Sequence, residues 1–294
     1  MRAQKMMNFF SGLTNWFTLL KPKSKVAEPK PDLCFWIDRS WKTDYKRHLA
    51  VCKELNVKRV GLFLNGLEVN PFKHNTKPFE PFATRDKLIE VVKQYNDVGI
   101  NCDLTTWIWP HDDYVKRMVD YAQPLLETGC RLDLDSESPW ASGFGTALKR
   151  DKASKLLYSL VKPELVSVND YASLQAVTKS LIVPGIRLRP QAYSVGYVNR
   201  AGGKVVTIPK SVYWPGVTQK YVMSNNLWGS YKNSHQIDFG LAAYKPISGL
   251  SVYEQISRQV NAAMVYKPKE IWFWQLNGLN DSYQAGIKKT FSEL

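Results

Sequence analysis

From residue 32 to the C terminus, short apolar runs alternate with longer stretches in which apolar residues recur every three or four positions. The first run is Cys34-Phe35-Trp36-Ile37-Asp38, and Tyr45, Leu49, Cys52 and Leu55 follow at helical spacing. The second is Arg59-Val60-Gly61-Leu62-Phe63-Leu64; after a loop over 65–84, Leu88, Val91, Val92, Tyr95 and Val98 mark a helix. A strand over 100–109 precedes a helix carrying Val115, Met118, Val119, Ala122 and Leu126, and a strand over 130–137 precedes one carrying Leu148, Leu156, Leu157 and Leu160. A fifth strand over 165–170 leads into a short helix ending near Ser180, and a sixth covers 186–193. The segment 194–235 holds Gly, Pro, aromatics and one helix at most. A seventh strand then covers 237–244. Ser251-x-x-Glu254 is a capping-box signature for a helix over 252–266, before a last strand at 271–276 and a helix closing at Leu294. Short apolar runs read as buried strands and the three-to-four spacing as amphipathic helices. Their alternation predicts parallel strands joined by helical crossovers, and eight such units predict closure into a (β/α)8 TIM barrel. The alternative, an open doubly wound sheet, lacks its usual Gly-x-Gly-x-x-Gly after the first strand.

Residues 1–31 break this rhythm and are read as a separate segment ahead of a barrel domain over 32–294. Met6, Phe9, Phe10, Leu13, Trp16, Phe17 and Leu20 fall on one helical face, so 6–20 predicts an amphipathic helix. Lys21, Lys23, Lys25 and Lys30, interleaved with Pro22, Pro29 and Pro31, read as an extended linker. A signal-anchor has this charge order, but Gly12 and Asn15 interrupt the apolar core and no A-x-A site follows. The reading favoured is a helix that docks on a membrane surface or on another protein.

In a barrel the chemistry gathers at the C-terminal strand ends, which selects the polar residues to weigh. The fourth strand reads Arg131-Leu132-Asp133-Leu134-Asp135-Ser136-Glu137. Strand side chains alternate, so Asp133, Asp135 and Glu137 share one face and the leucines the other. The leucines belong against the helices, which points three carboxyls into the barrel. Stacked like charges raise at least one pKa, so the outermost, Glu137, is the natural proton donor and Asp135 is placed to share a proton and orient a neighbour. A divalent-ion site is the competing use of clustered carboxylates. Of His48, His74, His111 and His235, however, only His111 lies near such a strand end. Acid–base chemistry therefore ranks above metal, both rank above a structural network, and no cofactor is called for.

Other strand ends supply partners. Asp38 ends strand one, Trp107 and Trp109 end strand three, and Trp140 follows Glu137. Gln191 and Tyr193 share a face of strand six, and Trp272 and Trp274 one of strand eight, with Gln275 beyond. Aromatic faces beside acids suit stacking on the C–H faces of sugar rings.

The chain of 294 residues carries 40 Lys+Arg against 26 Asp+Glu, a formal charge of +14, which suits an acidic partner such as an anionic cell-wall polymer. No zinc-finger, RNP or Walker motif appears, so nucleic acid ranks low. A composition 44% hydrophobic and 13% aromatic excludes disorder, and no apolar run is long enough to span a bilayer. Cys34, Cys52, Cys102 and Cys130 show no CxxC pairing and read as buried free thiols.

The run Asp133-x-Asp135-x-Glu137 resembles the D-x-D-x-E signature of family 18 glycoside hydrolases, the chitinases and endo-β-N-acetylglucosaminidases. Gln191-x-Tyr193 is similar to that family's strand-six Gln/Met-x-Tyr element, and Trp274 to its strand-eight tryptophan. Cys130-Arg131 stand where the family has Asp-Gly, and Asp103-Leu104-Thr105-Thr106-Trp107 replace its strand-three Ser-x-Gly-Gly. Asp38, Asp135 and Glu137 also resemble the acids of family 25 lysozymes. The resemblance implies substrate-assisted hydrolysis. Glu137 protonates the glycosidic oxygen, Asp135 orients the substrate N-acetyl group, Tyr193 bonds it, and Trp274 supports the sugar. The substrate it implies is a β-1,4-linked N-acetylhexosamine polymer, with peptidoglycan ahead of chitin. A lysin of that type would be made in the cytoplasm and act at the bacterial wall, or travel in a virion. A non-catalytic sugar-binding barrel is the alternative class.

Overall fold

The computed structural model describes residues 29–66, 79–137, 140, 147–171, 176–194, 212–224 and 228–294. The amphipathic segment 6–20, most of its linker, and parts of the loops 65–84 and 194–235 lie outside the described residues.

The barrel predicted from the alternation is present. Strands β1 (Asp32–Ile37), β2 (Arg59–Phe63), β3 (Asn101–Trp107), β4 (Arg131–Asp135), β5 (Val166–Tyr171) and β6 (Arg187–Gln191) pair in parallel, each with the next. The seventh position is shared by β7 (Gln236–Ile237) and β8 (Phe239–Ala242), both paired with β6. β9 (Glu270–Trp274) pairs with β8 and returns to β1, so the sheet closes on itself as eight staves. The sequence predicts one continuous seventh strand, and the structure interrupts it at Asp238. The Asp238 carboxyl accepts the backbone N–H groups of Lys269 (3.2 Å) and Glu270 (3.0 Å), while its own N–H donates to the Leu188 carbonyl (2.9 Å).

Helices α1 (Trp41–Glu54), α2 (Arg85–Asn96), α3 (Asp112–Leu126), α4 (Ala147–Leu160), α5 (Val217–Val222), α6 (Val252–Met264) and α7 (Asp281–Glu293) make the outer layer. Most bury an apolar stripe; α5 instead buries Thr218, Gln219 and Val222. Leu88, Val91, Val92 and Tyr95 of α2 and Val115, Met118, Val119 and Ala122 of α3 meet outward residues such as Leu104, Leu132, Leu134 and Val168 in one continuous core. The predicted capping box forms: Ser251 Oγ accepts the Glu254 N–H (3.2 Å) and Glu254 Oε2 accepts the Ser251 N–H (2.9 Å). The helix predicted after the fifth strand is a 3₁₀ segment, Ala176–Leu181. All four cysteines are buried free thiols.

The lumen is layered by parity. At its base Arg59, Arg131, Arg187 and Arg189 meet Asp103, Asp133, Asp238 and Glu270, four cations against four acids. Barrel interiors are ordinarily filled by branched apolar side chains, so this is a polar substitute for that layer. Above it the Trp36 indole lies across the lumen. It fits because Gly61 and Gly240 lack side chains: a Cβ on Gly61 would stand 2.6 Å from Trp36 Cδ1, and one on Gly240 2.9 Å from Trp36 Cη2. Trp272 packs on it with ring centroids 5.1 Å apart.

Candidate active site

The acidic run behaves as its alternation requires. Leu132 and Leu134 join the outer core, and Arg131, Asp133 and Asp135 face the lumen. β4 ends at Asp135, but the Ser136 N–H still donates to the Asn169 carbonyl of β5 (3.1 Å). That bond carries the β4–β5 pairing one residue past the strand, and Glu137, at the bend that follows, meets Tyr171 and the Gln191 amide that also reaches Asp135.

The three carboxyls occupy different environments. Asp133, deepest and wholly buried, accepts from Ser167 Oγ (2.7 Å), Trp36 Nε1 (2.8 Å), Thr105 Oγ1 (3.1 Å) and Asn169 Nδ2 (3.1 Å), and pairs with Arg189 (3.0 Å). Asp135 receives one long bond from Gln191 Nε2 (3.4 Å), an amide that also donates to Asn169 Oδ1 (3.0 Å). Burial pushes the Asp135 carboxyl well above the usual carboxylate range, with further contributions from Glu137, Asp133 and Asp170. Burial likewise lifts Glu137 to about 7; hydrogen bonds from Tyr171 and Gln191 oppose the rise and the charge of Asp170 adds to it. Two neighbouring acids that ionise reluctantly at neutral pH are the arrangement a proton donor needs.

Beside the acids the mouth is aromatic, since Trp107 is the register partner of Asp135. Phe63 at the end of β2 lies 6.5 Å from Trp107 of β3 and meets Trp274 of β9 edge-on at 5.2 Å. Trp107 and Trp274 are half-buried. Phe82 packs on this cluster, and the Arg39 guanidinium lies 5.7 Å from its ring.

Of the residues singled out in the sequence, the structure brings Asp133, Asp135, Glu137 and Gln191 together directly, with Trp107 beside Asp135 on the paired strand β3 and Trp274 in the same aromatic cluster as Trp107. Tyr193 follows Gln191, half-buried, with its ring edge-on to Tyr244 at 6.2 Å. Asp38 caps the turn after β1 by accepting the Ser40 N–H (3.0 Å). Gln275 adjoins Trp274, and its Oε1 is enclosed without a hydrogen-bond partner among the described residues. Trp109 and Trp140 are placed elsewhere, in the core between sheet and helices, where the Trp140 indole donates to Ser180 Oγ (3.1 Å). β3 stops at Trp107, so the alternation that groups Trp109 with it does not continue.

Sequence reading missed Tyr171, Asn169 and Arg189, which hold the acids, and Phe63 and Phe82 of the aromatic wall. Parity contains the signal for four of them. Asn169 and Tyr171 lie on the lumen face of β5, Arg189 two residues before Gln191, and Phe63 two after Gly61.

No protein-family model matches the chain, and no curated protein matches it in sequence. Solved structures match it in shape. A GH18 chitinase from Pseudoalteromonas aurantia superposes with a TM-score of 0.54 at 14% identity, covering 88% of this chain and 99% of that one. The spore cortex-lytic enzyme SleL of Bacillus megaterium gives 0.51 at 11%, over 90% and 75%. An endo-1,4-beta-mannanase from Rhizomucor miehei gives 0.55 at 11%, over 91% and 95%. The chain therefore has the (β/α)8 barrel shared by these enzymes. At these identities the likeness defines the fold and leaves the activity to the site.

Proposed function

We propose that the protein is a glycoside hydrolase that cleaves β-1,4 bonds beside N-acetylhexosamines, with peptidoglycan as the preferred substrate. The observation that carries this reading is the buried Asp135–Glu137 pair at the C-terminal end of β4, next to an aromatic cluster that starts at Trp107 on the paired strand β3. Among the neighbours in shape, a chitinase and a spore cortex-lytic enzyme agree with it, and a mannanase marks how far fold alone would reach.

In this reading Glu137 gives its proton to the glycosidic oxygen as the bond from that oxygen to the anomeric carbon breaks. The carbonyl oxygen of the substrate's own N-acetyl group forms the new bond at that carbon, and Asp135 orients the acetamide. Water then attacks the same carbon, gives its proton to the Glu137 carboxylate, and releases the acetamide. Tyr193 bonds the acetamide, and Trp274 and Trp107 support the ring. Asp38 and Gln275 line the approach. No second nucleophilic carboxylate is required.

The test is zymography on bacterial cell walls and on chitin, with the new reducing ends identified. Clearing by the natural chain and a loss of roughly 10²–10⁴-fold in Glu137→Gln support the reading. Equal clearing by both proteins rejects it. Oligosaccharide binding without turnover would assign the chain to the non-catalytic sugar-binding barrels.

A further inference from the structure

We propose that Asp133 is a positioning residue locked by Arg189, so that the proton is shared by Asp135 and Glu137 alone. This rests on the hydrolytic reading of that pair and refines it. The argument is one of hydrogen-bond capacity. A carboxylate offers about four lone-pair sites on its two oxygens and has no donor of its own. Asp133 accepts four hydrogen bonds, from Ser167 at Oδ1 and from Trp36, Thr105 and Asn169 at Oδ2, and the Arg189 cation stands 3.0 Å from Oδ1 as an ion pair. The Trp36 indole, the Asn169 amide nitrogen and the Arg189 guanidinium are donors only, so a proton on Asp133 would require Ser167 or Thr105 to turn its hydroxyl and give up the bond it now makes, beside a buried cation.

Arg189 is fixed in turn. Its guanidinium is wholly buried, pairs with Asp103 (2.7 Å) and Glu270 (3.1 Å) as well as Asp133, and lies 4.0 Å from the centroid of the Trp272 ring. It cannot retract from Asp133 without abandoning two other buried carboxylates. The charged and titratable groups around Asp133 are therefore Arg189 from β6, Asp135 and Arg131 from its own strand, Asp103 from β3 and Glu270 from β9, while β5 presents only the neutral Ser167 and Asn169. Asn169 links the two tiers. Its Nδ2 donates down to Asp133 and its Oδ1 accepts from the Gln191 amide that reaches Asp135. Asp133 thus sets Asn169, Asn169 sets Gln191, and Gln191 sets the pair above.

The Trp36 indole N–H, 2.8 Å from Asp133 Oδ2, reports the state of that carboxyl without any need for turnover. In the natural full-length chain, the indole N–H resonance, assigned with Trp36→Phe, is expected to stay fixed while pH is raised through about 7, where Glu137 titrates. A shift of the indole signal with the same midpoint as the loss of activity, or as the Glu137 carboxyl signal, would overturn the proposal. Kinetics supply a second readout. Asp133→Asn should lower kcat by roughly tenfold or more and leave the alkaline limb of the pH profile in place. A displaced limb would return Asp133 to the proton-sharing group. If the natural chain hydrolyses nothing, the indole titration still decides the role of Asp133, so failure of this inference and failure of the hydrolytic reading are separable.

Discussion

Glu137 is 7% exposed, and the group that most directly opposes its burial is the Tyr171 hydroxyl. The hydroxyl donates to the carboxylate and so favours its charged form. Tyr171→Phe removes that bond, and Glu137 should then hold its proton to higher pH. The alkaline limb of kcat/KM, centred near 7 in the natural chain, is expected to move upward in a pH–rate profile. A downward move would contradict the account. The raised carboxyl also affects stability. The folded chain binds the Glu137 proton more tightly than the unfolded one, so its contribution is fully present below the ordinary value of 4.5 and is lost as pH rises through about 7. Glu137→Gln is therefore expected to gain up to roughly 3 kcal/mol relative to the natural chain between acid and mildly alkaline pH, read by denaturant unfolding at both. The three acids were legible in the sequence because alternation alone sorts them from Leu132 and Leu134. Tyr171 was not, because its strand was read as ending at Asp170, one residue short of the lumen-facing tyrosine. Trp109 and Trp140 were misplaced for the opposite reason: a tryptophan in a core and one in a groove look alike in a sequence, and only the end of β3 separates Trp109 from Trp107.

Among the strands, the lumen depends on a pairing of one large ring with two missing side chains. Trp36 on β1 uses the space left by Gly61 on β2 and Gly240 on β8, and in that position its indole reaches Asp133. A methyl at Gly61 would meet Trp36 Cδ1 at 2.6 Å and Thr105 Oγ1 at 2.7 Å, both of them donors' side chains to the buried acid. Gly61→Ala is expected to cost about 1–3 kcal/mol of stability in denaturant unfolding, as overpacked cores do, and to change the near-ultraviolet signal of the tryptophans. Unchanged stability would mean that Trp36 is free to move, and with it Asp133. The run Arg59 to Leu64 reads as a strand whether or not residue 61 is glycine, so periodicity cannot reveal this. The split of the seventh stave at Asp238 is equally hidden, because it follows from where the Lys269 and Glu270 N–H groups lie in the neighbouring strand.

For the barrel as a body, the base of the lumen is where sequence and family pattern part. Arg131 and Asp103 stand at positions where the resemblance leads one to expect other residues, and they are each other's partners at 2.8 Å. The two departures compensate within a network of four cations and four acids. Burial works against the charge of Glu270, but Arg189 and Arg131 outweigh it and hold the carboxyl down to about 2; Arg131, Arg189 and Arg59 likewise hold Asp103 below the usual range. Their stabilisation is present above the ordinary carboxylate range and is lost as pH falls through about 4 toward 2. Glu270→Gln leaves buried guanidinium groups short of a partner. It is expected to destabilise by about 3–5 kcal/mol, with little dependence on salt because the network is out of reach of screening ions. A loss that vanishes in high salt would place these pairs at the surface. Eight strand–helix units were readable along the chain because most strands are apolar runs or alternate apolar with polar residues, and most helices carry an apolar stripe. The charged base was not, because its members come from five strands and the break in the seventh stave, and meet only when the sheet closes.

The decisive observation is the leaving-group dependence of Glu137→Gln. A proton donor matters when the departing oxygen belongs to a sugar and matters little when it belongs to an activated nitrophenol that leaves without help. With N-acetylglucosamine oligosaccharides as substrate, kcat/KM of the variant should fall by roughly 10²–10⁴-fold. With the corresponding dinitrophenyl glycoside, the natural chain and the variant should differ little in the bond-breaking step. Equal losses on both substrates, or no cleavage of either by the natural chain, would contradict the assignment of Glu137 as the acid.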